Sequence, residues 1–263
     1  MTSISRRMRL VPFALVIVAA SFSPVKAEEL TVLGAGATRS VLQELAAPFE
    51  RASGHHLTLE FATAAGVEER IAGGTAIDVA VLTRPRIEKL VHDGKIVANS
   101  SAVIGRSPIG LAVRKGAPHP DIGSVEAFKR TLLAAKSIAY TDPASGGTSG
   151  IHLAQVLERL GLAAELTPKI RRITGSAGHP PSVGDAVAGG KAEIGMQPIS
   201  ELMTSAGIDI VGPLPADLQS PDLVYVAGVT AASKEPQAAK ALVDFLTGPA
   251  AVPVVKAKGL EPP

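Results

Sequence analysis

The chain is 263 residues long, carries 26 Lys and Arg against 24 Asp and Glu, and contains neither cysteine nor tryptophan. Near-balanced charge gives no field that would gather nucleic acid or an anionic membrane. The missing thiol excludes disulfides and a lipid-modified N-terminal cysteine, and 3% aromatic residues exclude aromatic cages for sugars or quaternary amines.

Arg6, Arg7 and Arg9 precede an apolar run from Leu10 to Phe22, and Val25-Lys26-Ala27 offers the small or apolar residues that a signal peptidase reads. Residues 1–27 read as a secretory signal peptide, because a run ending at Pro24 is too short to span a hydrocarbon core. Removing Arg6, Arg7, Arg9 and Lys26, with every acidic residue retained, leaves a mature chain of formal charge −2. A Gram-negative periplasm is expected. The mature chain is expected to be monomeric, without membrane insertion and without a nucleic-acid partner. Stability must come from core burial alone.

Short apolar runs then alternate with helical patterns. Leu30–Leu33 reads as a strand, and 39–52 as a helix with Val41, Leu42, Leu45 and Phe49 inward and Gly54 at its end. Strands at Leu57–Phe61 and Val79–Leu82 are followed by helices over Val67–Ala72 and Arg86–Val91, and Ile109–Arg114 is extended. The pattern restarts with a helix at Val125–Ala134, a strand at Ser137–Tyr140 and a helix at Gly150–Leu160. Ile170–Ile173, Ile194–Met196 and Ile208–Val211 are short strands, Val224–Val229 is extended, and Gln237–Leu246 closes as a helix.

Strands alternating with crossover helices predict an α/β fold with mainly parallel sheets flanked by helices. There are more units than one small sheet needs, so two lobes are expected. Residues 28–111 with 226–263 form lobe one and 112–225 form lobe two, with crossings at Ile109–Val113 and Val224–Val229.

Ligands of parallel α/β sheets bind beyond the carboxyl ends of strands, where helix N-termini present unpaired N–H groups. Three strand-to-helix turns are small and hydroxyl-rich: Gly34–Thr38, Ala62–Gly66 and Ser145–Gly150. Each alone also reads as an ordinary turn or cap. Together, drawn from both lobes, they could clamp an anion. Gly34-Ala35-Gly36 lacks the third glycine of a dinucleotide fingerprint, and there is no phosphate-loop motif, Gly-x-Ser-x-Gly elbow or zinc-spaced histidine set, so no cofactor or metal is expected.

At these turns the sequence resembles the molybdate-binding branch of bacterial periplasmic solute-binding proteins. The resemblance runs through Thr31–Thr38, Leu42–Glu50, Gly73–Val79, Val113–Gly116, Ile138–Ala144, Leu157–Gly161, Lys191–Gly195 and the Ala241–Leu246 helix followed by Pro249. It implies the type II periplasmic-binding-protein fold, a hinge cleft that captures an oxyanion through neutral donors, and an ABC permease as partner. The family's first serine falls at Thr38 and its second at Ala64, beside Thr63 and Ala65. Its tyrosine falls at Pro198, next to Gln197, and a backbone N–H donor falls near Pro180, which has none. The turn holding Ser145, Thr148 and Ser149 is also slightly longer.

Basic side chains stand near the expected cleft: Arg39 after Thr38, Arg84 after the strand ending at Leu82, and Arg106 before the first crossing. Arginine grips carboxylates with a two-pronged contact; the competing reading of each is a solvated or ion-paired surface residue. The lost neutral donors shift the expected ligand from molybdate toward an organic carboxylate. The resembling branch includes a periplasmic aconitate isomerase, which makes proton transfer on a tricarboxylate the alternative, with His152 or a carboxylate as candidate base and His152 equally a packing residue.

Overall fold

The computed structural model describes residues 27–175 and 181–263; the expected signal segment up to residue 26 and the Pro180 position lie outside the described residues. In chain order the first run is β1 (Glu29–Ala35), α1 (Arg39–Ser53), β2 (His56–Ala62), α2 (Ala64–Ala72), β3 (Val79–Thr83), α3 (Arg84–His92) and β4 (Ala102–Arg106). The second comprises β5 (Ile109–Arg114), α4 (Val125–Ala134), β6 (Ile138–Thr141), α5 (Thr148–Arg159), α6 (Ala163–Leu166), β7 (Ile170–Ile173), α7 (Val183–Ala188), β8 (Ile194–Pro198), α8 (Ile199–Leu202) and β9 (Ile208–Pro213). The chain returns through β10 (Val224–Val229), α9 (Pro236–Thr247) and α10 (Val252–Ala257).

These strands make two five-stranded sheets, ordered β2-β1-β3-β10-β4 and β7-β6-β8-β5-β9. In the first, β1 is parallel to β2 and β3, while β10 runs antiparallel to β3 and β4. In the second, β6 is parallel to β7 and β8, while β5 runs antiparallel to β8 and β9. Each sheet is therefore mixed, with four strands pointing one way and the fourth in spatial order reversed. The reversed strand is in each case the one that enters directly from the other half. Both segments read as crossings are thus sheet strands, and the chain passes between sheets at 107–108 and over 214–223.

β3 is buried along its whole length, and β1 is buried from Val32 to Ala35. Continuous apolar sequence rather than alternation is what two helix-covered faces demand. α1 buries Val41, Leu42, Leu45 and Phe49, a stripe at helical spacing, and ends at Gly54 with φ of 77°. Its Phe49 ring meets Phe245 of α9 edge-on, with centroids 5.5 Å apart, which fastens the returning chain to the first half.

The second crossing is held to the first by backbone bonds from Ser107 N to Leu223 O and from Leu214 N to Ile109 O, and by one side chain. Gln219 Oε1 accepts from Ile109 N at 2.8 Å, and its Nε2 donates to the carbonyls of Ile109 and Leu214 at 3.0 and 2.9 Å. Buried Leu214, Leu218 and Leu223 fill the space around it. Among the described residues no helix is long and apolar enough to cross a membrane.

Candidate functional site

The carboxyl ends of the parallel strands converge on a cleft, and the three small-residue turns meet there. A chamber of about 30 Å³ is walled by Ala35 and Gly36 after β1, Ala62, Thr63 and Ala64 after β2, and Gly147, Thr148 and Ser149 after β6. Thr141, Pro181, Glu201 and Tyr225 complete it. It continues into an outer cavity of about 280 Å³ lined by Arg39, Ser182, Asp185, Gln197 and Thr204, the two sharing Gly36, Pro181 and Glu201.

Local chemistry explains why the backbone comes so close. Gly146 has φ of 73°, and a Cβ there would overlap the Ala65 Cβ across the cleft. A Cβ at Gly150 would overlap the Thr141 carbonyl oxygen, so only glycine lets α5 start tight against β6. Thr63 caps α2 by accepting from Gly66 N at 3.2 Å. The first-turn N–H groups of a helix lack intrahelical partners, and α2 and α5 both begin at the chamber wall. The Thr148 hydroxyl is buried without a hydrogen-bond partner among the described residues. Such an orphan is costly unless something in the chamber engages it.

One carboxyl lines the chamber. Glu201, in the single-turn α8, keeps a partial opening to the cleft yet is packed round by protein. Burial pushes its pKa up from 4.5 to about 8, against the lowering effects of Arg39 and of the Gln197 side-chain bond. Gln197 is itself buried and fixed: its Oε1 accepts from Val183 N at 3.0 Å, and its Nε2 donates to Pro181 O at 3.0 Å and to Glu201 Oε2. Arg39 lies over the Phe61 ring, 4.6 Å from its centroid, and burial lowers its pKa while Glu201 raises it. Tyr225, at the start of β10, is held well above the usual phenol range by burial and by Glu201, so its hydroxyl stays protonated as a donor.

Six residues singled out from sequence thus line the two cavities: Arg39, Thr63, Ala64, Thr148, Ser149 and Gln197. Thr38 is fully buried behind them, its Oγ1 donating to Ala35 O at 2.8 Å, so it shapes the turn. Ser145 likewise donates to Asp142 O at 2.7 Å, outside both cavities. Arg84 is exposed at the start of α3, and Arg106 pairs with Glu261, its Nε and Nη2 at 3.0 and 2.8 Å from Oε2. The structure places His152 on another cavity, its Nε2 2.9 Å from Leu218 O. Pro198 ends β8 just before α8.

Glu201 and Tyr225 were not singled out. The strand-end rule applied after β8 reaches Glu201, but only if Ile199–Leu202 is recognised as a helical turn. Tyr225 pairs with Thr83, the last residue of β3. A reversed strand begins where its parallel neighbours end, so its first residues face the same crevice.

The family model described as bacterial extracellular solute-binding protein matches residues 30–261. An aconitate isomerase from a Pseudomonas species is 36% identical over 239 residues, covering 89% of this chain and 87% of that one. A molybdate-binding protein from Azotobacter vinelandii is 29% identical over 246 residues, covering 89% and 90% respectively. The solved periplasmic molybdate-binding protein of the same organism superposes with a TM-score of 0.73 at 24% identity, over 89% of this chain and 99% of that one. That likeness extends the fold, with its two lobes and cleft, to this chain.

Proposed function

As the chain belongs to the bacterial extracellular solute-binding protein family, we propose that its cleft captures a small organic polycarboxylate in the periplasm and presents it to an ABC permease. The carrying observation is the step from a chamber of about 30 Å³ to an outer cavity of about 280 Å³ with Arg39 on its wall. A water-sized centre needs roughly 10–15 Å³, so the chamber suits one carboxylate group, with the remainder of a longer anion lying outward beside Arg39.

A tetrahedral inorganic oxyanion fits this wall less well. Ala62 and Ala64 bring no hydroxyl and Pro181 brings no N–H, so the neutral donors that would surround such an anion are few. Calorimetry against citrate, trans-aconitate, succinate, sulfate and molybdate tests the reading. Micromolar binding of a tricarboxylate, with molybdate weaker, is expected; tight molybdate binding with no response to carboxylates defeats it.

A second reading is that the bound anion is also changed, by a double-bond shift in an unsaturated tricarboxylate. It is favoured by the ionisable carboxyl inside the chamber and by the 36% identity to a protein named aconitate isomerase. Purified protein mixed with trans-aconitate should then form the cis isomer above the blank.

A further inference from the structure

We propose that Glu201 is the proton-carrying residue of this cleft, taking a proton from a methylene carbon of the bound anion and returning it to the far carbon of the same three-carbon unit. The inference rests on the second reading above and names the residue that performs it.

Position comes first. Glu201 lines both the chamber and the outer cavity, so it stands at their junction, beside the middle of any anion that spans them. Among the described residues it is the sole acidic side chain on the chamber wall. His152, the other candidate base, faces a different cavity.

Orientation comes next. Gln197 donates to Glu201 Oε2 and is itself locked by Val183 and Pro181, so one carboxyl oxygen is tethered. Among the described residues the second oxygen, Oε1, carries no such tether, and the side chain lines the chamber. Among the described residues, the charged and titratable groups that face Glu201 are Arg39 from α1 and Tyr225 from β10. Asp185 of α7 lies across the outer cavity with its Oδ1 taken by the Ser205 hydroxyl at 2.6 Å. Tuning supports the geometry. A general base works best with a pKa near the operating pH, and burial holds this carboxyl at about 8.

The step balances without a co-reactant. The carboxylate of Glu201 takes the methylene proton, and the C–H electron pair becomes a new C=C bond to the central carbon. The electrons of the original C=C move onto the far carbon and its carboxylate, a charge that Arg39 and the Tyr225 hydroxyl are placed to stabilise. The acid form of Glu201 then gives the proton to that far carbon. One C–H bond breaks and one forms, and the composition is unchanged.

The test uses the mature protein with trans-aconitate in D₂O, following deuterium incorporation and isomer formation by proton NMR, with calorimetry alongside. Wild type should form the cis isomer and exchange the methylene protons, and its kcat/KM should rise with pH through about 8. E201Q should lose roughly 100-fold or more in exchange while its affinity changes by less than about tenfold. E201D, which keeps the acid on a shorter arm, should recover part of the lost rate. Exchange by E201Q within about tenfold of wild type overturns the proposal. Binding of trans-aconitate by wild type with neither isomer formation nor exchange also overturns it and leaves carboxylate capture standing, whereas absence of binding removes both.

Discussion

The Ala65 N–H donates to the Gly146 carbonyl oxygen at 3.3 Å, joining the start of α2 to the turn before α5 across the mouth of the cleft. Each comes from a different sheet, so this bond exists only while the two halves are closed on one another. At Gly146 a side chain would meet Ala65 and would also have to adopt a positive φ. Gly146→Ala is therefore expected to weaken ligand binding by about tenfold or more, because the overlap with Ala65 arises when the two halves close. Calorimetry with the best polycarboxylate measures it; unchanged affinity would mean that the bound state does not use this contact.

Thr148 separates a group kept for stability from one kept for a ligand. Its buried hydroxyl has no partner among the described residues, so removing it relieves a desolvated polar atom. Thr148→Val should leave the thermal midpoint unchanged or raised. Its ligand affinity should fall by about 1.5–3 kcal/mol, the range for a lost hydrogen bond to a charged group. A lower midpoint with unaltered affinity would assign the hydroxyl to the fold instead.

Arg39 has a similar double test. It stacks on Phe61 and opposes Glu201, so Arg39→Gln should lose both an anion contact and the influence that lowers the Glu201 pKa. Loss of about 1.5–3 kcal/mol in polycarboxylate affinity is expected, with the Glu201 titration moving further up. Carbon-13 NMR of the glutamate carboxyl reads the second effect directly, and a downward shift would contradict the geometry.

How much of this was legible beforehand depended on whether the signal was local. The strands β5, β7 and β10 and the helix α4 have the bounds that apolar runs and caps suggested, because Ser124 capping or a run such as Val224–Val229 is written in adjacent residues. β4, a short edge strand, and α10, with Pro253 in its first turn, were not singled out from the sequence, each being too short for its apolar residues to show a period. At the site, Thr63, Thr148 and Ser149 were readable as hydroxyls on strand-to-helix turns. Arg106 was not distinguishable from a cleft residue, because its partner Glu261 lies 155 positions away. Glu201 escaped for a related reason: nothing in Ile199–Leu202 shows that Arg39 and Tyr225 close over it.

The raised Glu201 pKa also makes stability depend on pH in a stated direction. Burial moves the folded-state value from 4.5 to about 8. Between those limits the unfolded chain releases the proton while the folded chain keeps it, so unfolding is increasingly favoured as pH rises. The contribution is fully present below about pH 4.5, declines across the window and is gone above about pH 8. E201Q cannot titrate there. Its thermal midpoint should therefore gain on that of wild type steadily from pH 4.5 to 8 and run parallel to it outside that window. Arg39→Gln should extend the window upward, since the charge opposing burial is gone. Differential scanning calorimetry of the three proteins across this range decides it: parallel curves throughout would mean that Glu201 ionises in the folded protein as readily as in the unfolded chain.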